Sequence, residues 1–178
     1  NVGLAQKNFR HLHLIMLDTR QYERDKQIQP KDYLSKSGFN QAKFYNHLNS
    51  NERNLLGSEQ LKWIEDSISK SNANWTIFGQ QVLMTKLKFP DITKMIKEEE
   101  IPSFVKPYLE FLGLGIPSNL DAWDGYPKER DRLFELMSNA KKQFISLAGD
   151  THNSWVSELE DSNGCLLYTS PSPRDTRE

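Results

Sequence analysis

Residues 123–155, WDGYPKERDRLFELMSNAKKQFISLAGDTHNSW, carry one complete helix-to-strand unit. Pro127 suits a first helical position, where its missing amide hydrogen and fixed φ cost nothing. Leu133, Leu136, Met137 and Ala140 then recur at i, i+3, i+4 and i+7, the spacing of one apolar helical face. This spacing predicts a helix over residues 127 to 140. After Lys141-Lys142, the run Phe144-Ile145-Ser146-Leu147-Ala148 is apolar and ends in Gly149-Asp150, the pattern of a strand buried within a sheet.

The same unit occurs upstream. Ser58 is the expected N-cap before Glu59; Leu61, Ile64 and Ile68 follow at helical spacing, and Lys70 sits in the last turn. A helix over 58 to 70 follows from that. Trp75-Thr76-Ile77-Phe78, closed by Gly79, is a β-branched and aromatic run that predicts a short buried strand. Phe9 to Leu17 (FRHLHLIML) alternates and then becomes wholly apolar, predicting another strand with Asp18-Thr19-Arg20 at its C-terminal end. Two helix-to-strand units predict an α/β fold whose strands are buried by helices on at least one face. Residues 21–56 are polar without a period and predict a long loop or insertion. Residues 84–118, broken by Pro90, Pro102, Pro107 and Pro117, predict short helices in a lid or excursion.

A chain of 178 residues accommodates one globular domain with a core, and two independent catalytic domains only with difficulty. Hydrophobic residues at 37% and aromatics at 11% exclude a disordered chain. A net charge of -1 provides no basic surface for nucleic acid, and Lys141-Lys142 is too short to form a patch. The single cysteine, Cys165, excludes an internal disulfide. No run reaches the roughly 18 apolar residues of a membrane-spanning helix, and no secretory signal is visible. The chain opens on Asn1 and enters a strand-like stretch almost at once, so a missing N-terminus is expected.

Ligands of α/β sheets gather at the C-terminal ends of strands, where Asp18, Gln80-Gln81 and Asp150 to His152 all fall. Asp150 offers a carboxylate oxygen and His152 an imidazole nitrogen on a glycine-led turn, a pair able to share one or two divalent or trivalent cations. Acidic residues after glycine also serve as plain turn formers, and two ligands do not complete a site. The Gln80-Gln81 amides suit either an anion or the capping of nearby backbone. Arg20 and Arg24 suit either a bidentate phosphate clamp or pairing with surface carboxylates. Trp123-Asp124-Gly125-Tyr126-Pro127 is either an aromatic packing plug with Asp124 capping the helix or part of a catalytic edge. His11 and His13 share one strand face, where packed or exposed histidines are commoner than a chelating pair. With no GxSxG, HExxH, Walker loop or CxxC present, serine-nucleophile and kinase chemistry lose their main support.

Four ordered segments, LDTRQYERDKQ (Leu17 to Gln27), LLGSEQLKWIEDSISKSNANWTIFGQQVLM (Leu55 to Met84), WDGYPKER (Trp123 to Arg130) and ISLAGDTHNSW (Ile145 to Trp155), resemble consecutive segments of the PhoD-like alkaline phosphatases. That family belongs to the calcineurin-like metallophosphoesterases. The resemblance implies an αββα sandwich of mixed sheets flanked by helices, and phosphate-ester hydrolysis at an iron and calcium centre acting on a small-molecule substrate. It implies that Asp150 and His152 are metal ligands within a Gly-Asp-x-His motif. Asn153 and Arg20 take supporting roles, Arg20 toward the substrate, and Trp123, Asp124, Tyr126 and Gln81 brace the site. Gln80 stands where the family commonly has asparagine. The family's earlier metal motifs have no counterpart here, so the chain is expected to be a C-terminal fragment, inactive alone, of a periplasmic or secreted and monomeric enzyme. A noncatalytic phosphate- or metal-binding relative is the alternative. Residues 1–164 are expected to belong to one catalytic domain. Residues 165–178 (CLLYTSPSPRDTRE) lack a period beyond their first few residues and resemble translated sequencing-adaptor read-through, so a non-native or disordered tail is expected there.

Overall fold

The computed structural model describes residues 4–87, 102, 109, 113–149, 154–160 and 166–169. Its centre is a six-stranded mixed sheet in the order β1-β2-β5-β6-β8-β7. The strands are β1 (Ala5–Asn8), β2 (Leu12–Met16), β5 (Trp75–Gln80), β6 (Gln143–Ala148), β7 (Glu158–Glu160) and β8 (Leu166–Thr169). β2, β5, β6 and β8 run parallel, and β1 and β7 pair antiparallel at the two edges. β8 occupies the first few residues of the stretch expected to be a tail.

Helix α2 (Ser58–Lys70) connects β2 to β5, and α3 (Pro127–Asn139) connects β5 to β6. Parallel strands joined by right-handed crossovers that advance in one direction place both helices on one face of the sheet. The core agrees: Ile64 and Ile68 of α2 and Leu133 and Met137 of α3 share a cluster with Ile15, Phe78 and Phe144. Phe78 and Phe144 stack at 5.8 Å between centroids, one on each of two neighbouring strands. The opposite face carries Met16, Trp75 and Leu147, which are 42%, 40% and 38% exposed. Both faces are therefore apolar, as parallel strands generally are. The mixed α/β architecture, a mixed sheet flanked by helices, matches the expected class.

The helices from 58 and 127 begin where the spacing places them, but Ser58 is not the cap. Gly57, at φ 83, holds the N-cap position, and the exposed Ser58 begins the helix with its amide donating to Glu23 Oε2 at 3.1 Å. A Cβ at Gly57 would overlap the Glu23 side chain.

The expected loop over 21–56 is in fact partly ordered into elements. A 3-10 turn (Pro30–Tyr33) leads into a two-stranded ribbon of β3 (Leu34–Ser35) and β4 (Gly38–Phe39), then helix α1 (Gln41–Leu48). Asn40 caps α1 by accepting from the Lys43 amide at 3.0 Å. Phe44 and Leu48, four apart, join Ile28, Tyr33, Ile116 and Leu120 in a second core. Two buried apolar positions in an eight-residue helix are too few to show a period, so the partners from residues 116–120 decide this segment. Most of 84–118 lies outside the described residues, including most of the expected lid helices.

Candidate functional site

The parallel register brings three strand ends to one edge. Met16 pairs with Gly79 and Gly79 with Leu147, while Gln80 pairs with Ala148. The Leu17 amide continues the ladder to Gly79 O at 2.8 Å. Asp18, Gln80-Gln81 and Gly149 consequently leave the sheet side by side. Asp150, His152 and Asn153 follow directly in sequence and lie outside the described residues.

Beyond β2, side chains replace the strand ladder. Gln60 of α2 accepts from the Asp18 amide at 2.8 Å and donates to the Asp18 carbonyl at 2.9 Å. Asp18 Oδ1 accepts the amides of Arg20 and Gln21, both at 2.9 Å, closing a tight turn. Its Oδ2 is buried, with no hydrogen-bond partner among the described residues. Gln81 Oε1 accepts from the Thr19 amide at 2.9 Å and hydroxyl at 2.7 Å, so Gln81 ties this turn to the segment that leaves β5.

Arg20 and Arg24 converge on Asp121. Arg20 Nη1 lies 2.5 Å from Asp121 Oδ2, and Arg24 Nη2 lies 2.6 Å from Oδ1. Arg24 also donates to the Thr19 carbonyl at 2.9 Å and the Asp121 carbonyl at 2.7 Å. Of the two roles open to these arginines, the structure displays carboxylate pairing.

The WDGYPKER segment is the hub behind this edge. Trp123 and Tyr126 are both 0% exposed, packed into the core. Asp124 does not cap the helix: Tyr126 holds the N-cap position, without a side-chain capping hydrogen bond. Asp124 instead accepts from the Leu87 amide at 2.7 Å and pairs with Arg130 Nη1 at 2.8 Å, in a nearly solvent-free setting. Gly125 is packed so tightly that a Cβ would overlap the Leu120 carbonyl. The Tyr126 hydroxyl donates to the Asp25 carbonyl at 2.7 Å, and its ring lies beneath the Arg24 and Arg53 guanidiniums at 5.2 and 4.7 Å. Burial pushes the Tyr126 hydroxyl above its ordinary pKa, with the two arginines pulling the other way.

Glu129, fully buried, accepts backbone amides from Leu55, from Leu56 at 2.9 Å and from Gly57 at 2.9 Å. The carboxylate thus meets the amides that lead into the N-terminus of α2, where negative charge is favourable. Gln60, Asp121, Arg53 and Glu129 had not been singled out from the sequence. A signal existed for Glu129: it lies four residues before Leu133 on the apolar stripe, so a helical wheel turns it inward.

Gln80 is buried and turned inward as well. Trp123 Nε1 donates to its Oε1 at 2.6 Å, and its Nε2 donates to Ser146 Oγ at 2.5 Å. His13 is fully buried, with Nε2 at 2.7 Å from Gln6 Oε1, whereas His11 is exposed; the two do not form a chelating pair. Among the described residues, no three His, Cys, Asp or Glu side chains form a group able to hold a metal ion. No helix among them is long and apolar enough to cross a membrane.

Comparison with known proteins supplies a family. The model of the PhoD-like phosphatase family matches residues 9–176. Over 145 residues the chain is 28% identical to alkaline phosphatase D of Bacillus subtilis (strain 168), covering 81% of this chain and 20% of that protein. A solved structure described as the structure of PhoD aligns with a TM-score of 0.62 at 24% identity, covering 95% of this chain and 28% of that one. At that identity the structural likeness speaks to the fold. The chain spans about a fifth of the length of the curated relative it matches. With the family match running across nearly all of its residues, this chain belongs to the PhoD-like phosphatase family.

Proposed function

We propose that this chain forms part of a metal-dependent phosphoesterase that hydrolyses small phosphate esters. The observation that carries the reading is the convergence of three parallel strand ends, at Asp18, Gln80-Gln81 and Gly149, on the edge from which Asp150 and His152 follow. Asp150 and His152 offer a hard oxygen and an imidazole nitrogen, donors suited to iron and calcium. Further ligands come from elsewhere in the longer enzyme. When bound, the cations supply positive charge that polarises the phosphoryl group and favours an ionised nucleophile.

The chain's own residues orient this edge. Gln60 and Gln81 hold the turn after β2, and Asp121 holds Arg20 and Arg24 beside it. In this reading Arg20 meets the substrate anion, exchanging part of its contact with Asp121 for a phosphoryl oxygen. Asn153 adds a polar contact beside the ligands. The apolar face carrying Met16, Trp75 and Leu147 receives the second sheet of the sandwich. The enzyme acts as a monomer outside the cytoplasm, periplasmic or secreted, and the 178 residues alone do not turn over substrate.

The test is hydrolysis of p-nitrophenyl phosphate and of a phosphodiester by the intact enzyme supplied with iron and calcium. Full activity after Asp150→Ala with His152→Ala would overturn the assignment. A protein that retains metal by mass spectrometry yet hydrolyses neither ester would instead be a noncatalytic binding relative.

A further inference from the structure

We infer that Gln80 is a positioning residue for the proposed metal ligands, acting through strand β6. The inference rests on the reading of Asp150 and His152 as ligands, and it concerns what holds them in place.

Three buried polar side chains from separate elements form a relay. Trp123, in the turn before α3, donates its indole N–H to Gln80 Oε1 at 2.6 Å. Gln80, the last residue of β5, donates its amide to Ser146 Oγ at 2.5 Å. Trp123, Gln80 and Ser146 are 0%, 7% and 3% exposed, so none has water as a ready substitute. Gln80 also pairs in register with Ala148, the last residue of β6. One glutamine therefore holds β6 twice, by the backbone ladder and by the side chain, within its last three residues.

That strand end leads into Gly149-Asp150-Thr151-His152. Among the described residues, an added Cβ at Gly149 would meet nothing within 4 Å. The relay is thus the last side-chain constraint on β6 before the ligand turn among the described residues. An apolar residue of similar size at position 80 would fill the space, but would leave the Trp123 N–H and the Ser146 hydroxyl without partners. Buried polar groups left unsatisfied draw the surrounding backbone toward new partners. Displacing the end of β6 would displace the ligands that follow it.

Gln80 does not touch substrate in this scheme, because both ends of its amide are engaged inward. Its length matters: the side chain must span from the indole to the serine hydroxyl.

The experiment compares wild type, Gln80→Leu, Ser146→Ala and the Asp150→Ala, His152→Ala double variant in the intact enzyme. Bound iron and calcium are measured by mass spectrometry during chelator titration, alongside kcat, KM and melting temperature. Gln80→Leu and Ser146→Ala are expected to weaken metal retention and to lower kcat, each by about tenfold, with KM nearly unchanged. A folded Gln80→Leu protein with a lower melting temperature but wild-type metal retention and kcat would make the relay merely structural and overturn the inference. Should Gln80→Leu not fold, Ser146→Ala decides by the same readings. If the double variant keeps its metal and activity, the ligand assignment itself fails. If the double variant loses both while Gln80→Leu and Ser146→Ala lose neither, the positioning role alone fails.

Discussion

Asp124 and Arg130 form an ion pair at 2.8 Å in which the two side chains are 5% and 3% exposed. They stand six residues apart, bridging the turn before α3 and its first turns. Arg130 also donates to the Met84 carbonyl at 3.3 Å, and Asp124 accepts the Leu87 amide, so the pair joins α3 to the segment that leaves β5.

Removing one partner strands a charge in a dry setting. Asp124→Ala is expected to destabilise the protein by about 3–5 kcal/mol, measured by urea denaturation. Replacing both residues with apolar ones of similar volume should recover much of that loss. A single-variant cost no larger than that of an exposed ion pair would show that the pair is solvated in solution.

Glu129 satisfies three consecutive amides with one carboxylate. Glu129→Gln presents N–H groups to some of those donors and should cost about 1–3 kcal/mol. Faster hydrogen exchange at Leu55, Leu56 and Gly57 is the specific readout. Unchanged protection there would mean that other groups hold the entry to α2.

His13 makes stability depend on pH. Burial, and secondarily the nearby Lys142 charge, hold its pKa below the ordinary 6.5. The unfolded chain therefore binds a proton more readily than the folded one between those two values. Its contribution to stability is complete above about pH 6.5 and is lost as pH falls through the lowered folded value. Denaturation midpoints from about pH 8 down to about pH 5 should fall more steeply for wild type than for His13→Gln. Parallel curves for the two proteins would contradict the assignment.

Gly125 leaves no room for a methyl group against the Leu120 carbonyl. Gly125→Ala should cost about 1–3 kcal/mol through backbone displacement. A melting temperature equal to wild type would show that the turn relaxes freely.

Local spacing was sufficient for the elements whose apolar residues repeat along one face. Helix 58–70 is found as expected, helix 127–139 ends one residue early, and the strands at Trp75 and Phe144 extend by one or two residues beyond their apolar runs. β1 and α1 escaped notice because one is wholly exposed and the other buries only two apolar side chains, in a distant core. The candidate site was legible as strand ends carrying polar residues, since strand ends follow from apolar runs.

The sequence by itself determined the α/β alternation, the strand ends that come to share one edge and the motifs that resemble the family, because these reside in periodicity and residue order. Tertiary structure alone decided that Asp124 pairs with Arg130 rather than capping α3, that Arg20 meets Asp121, and that Gln80 faces inward to Trp123 and Ser146. Most of those partners lie tens of residues away along the chain. A polar side chain has several partners of similar intrinsic affinity, and only the packing of the folded chain selects among them.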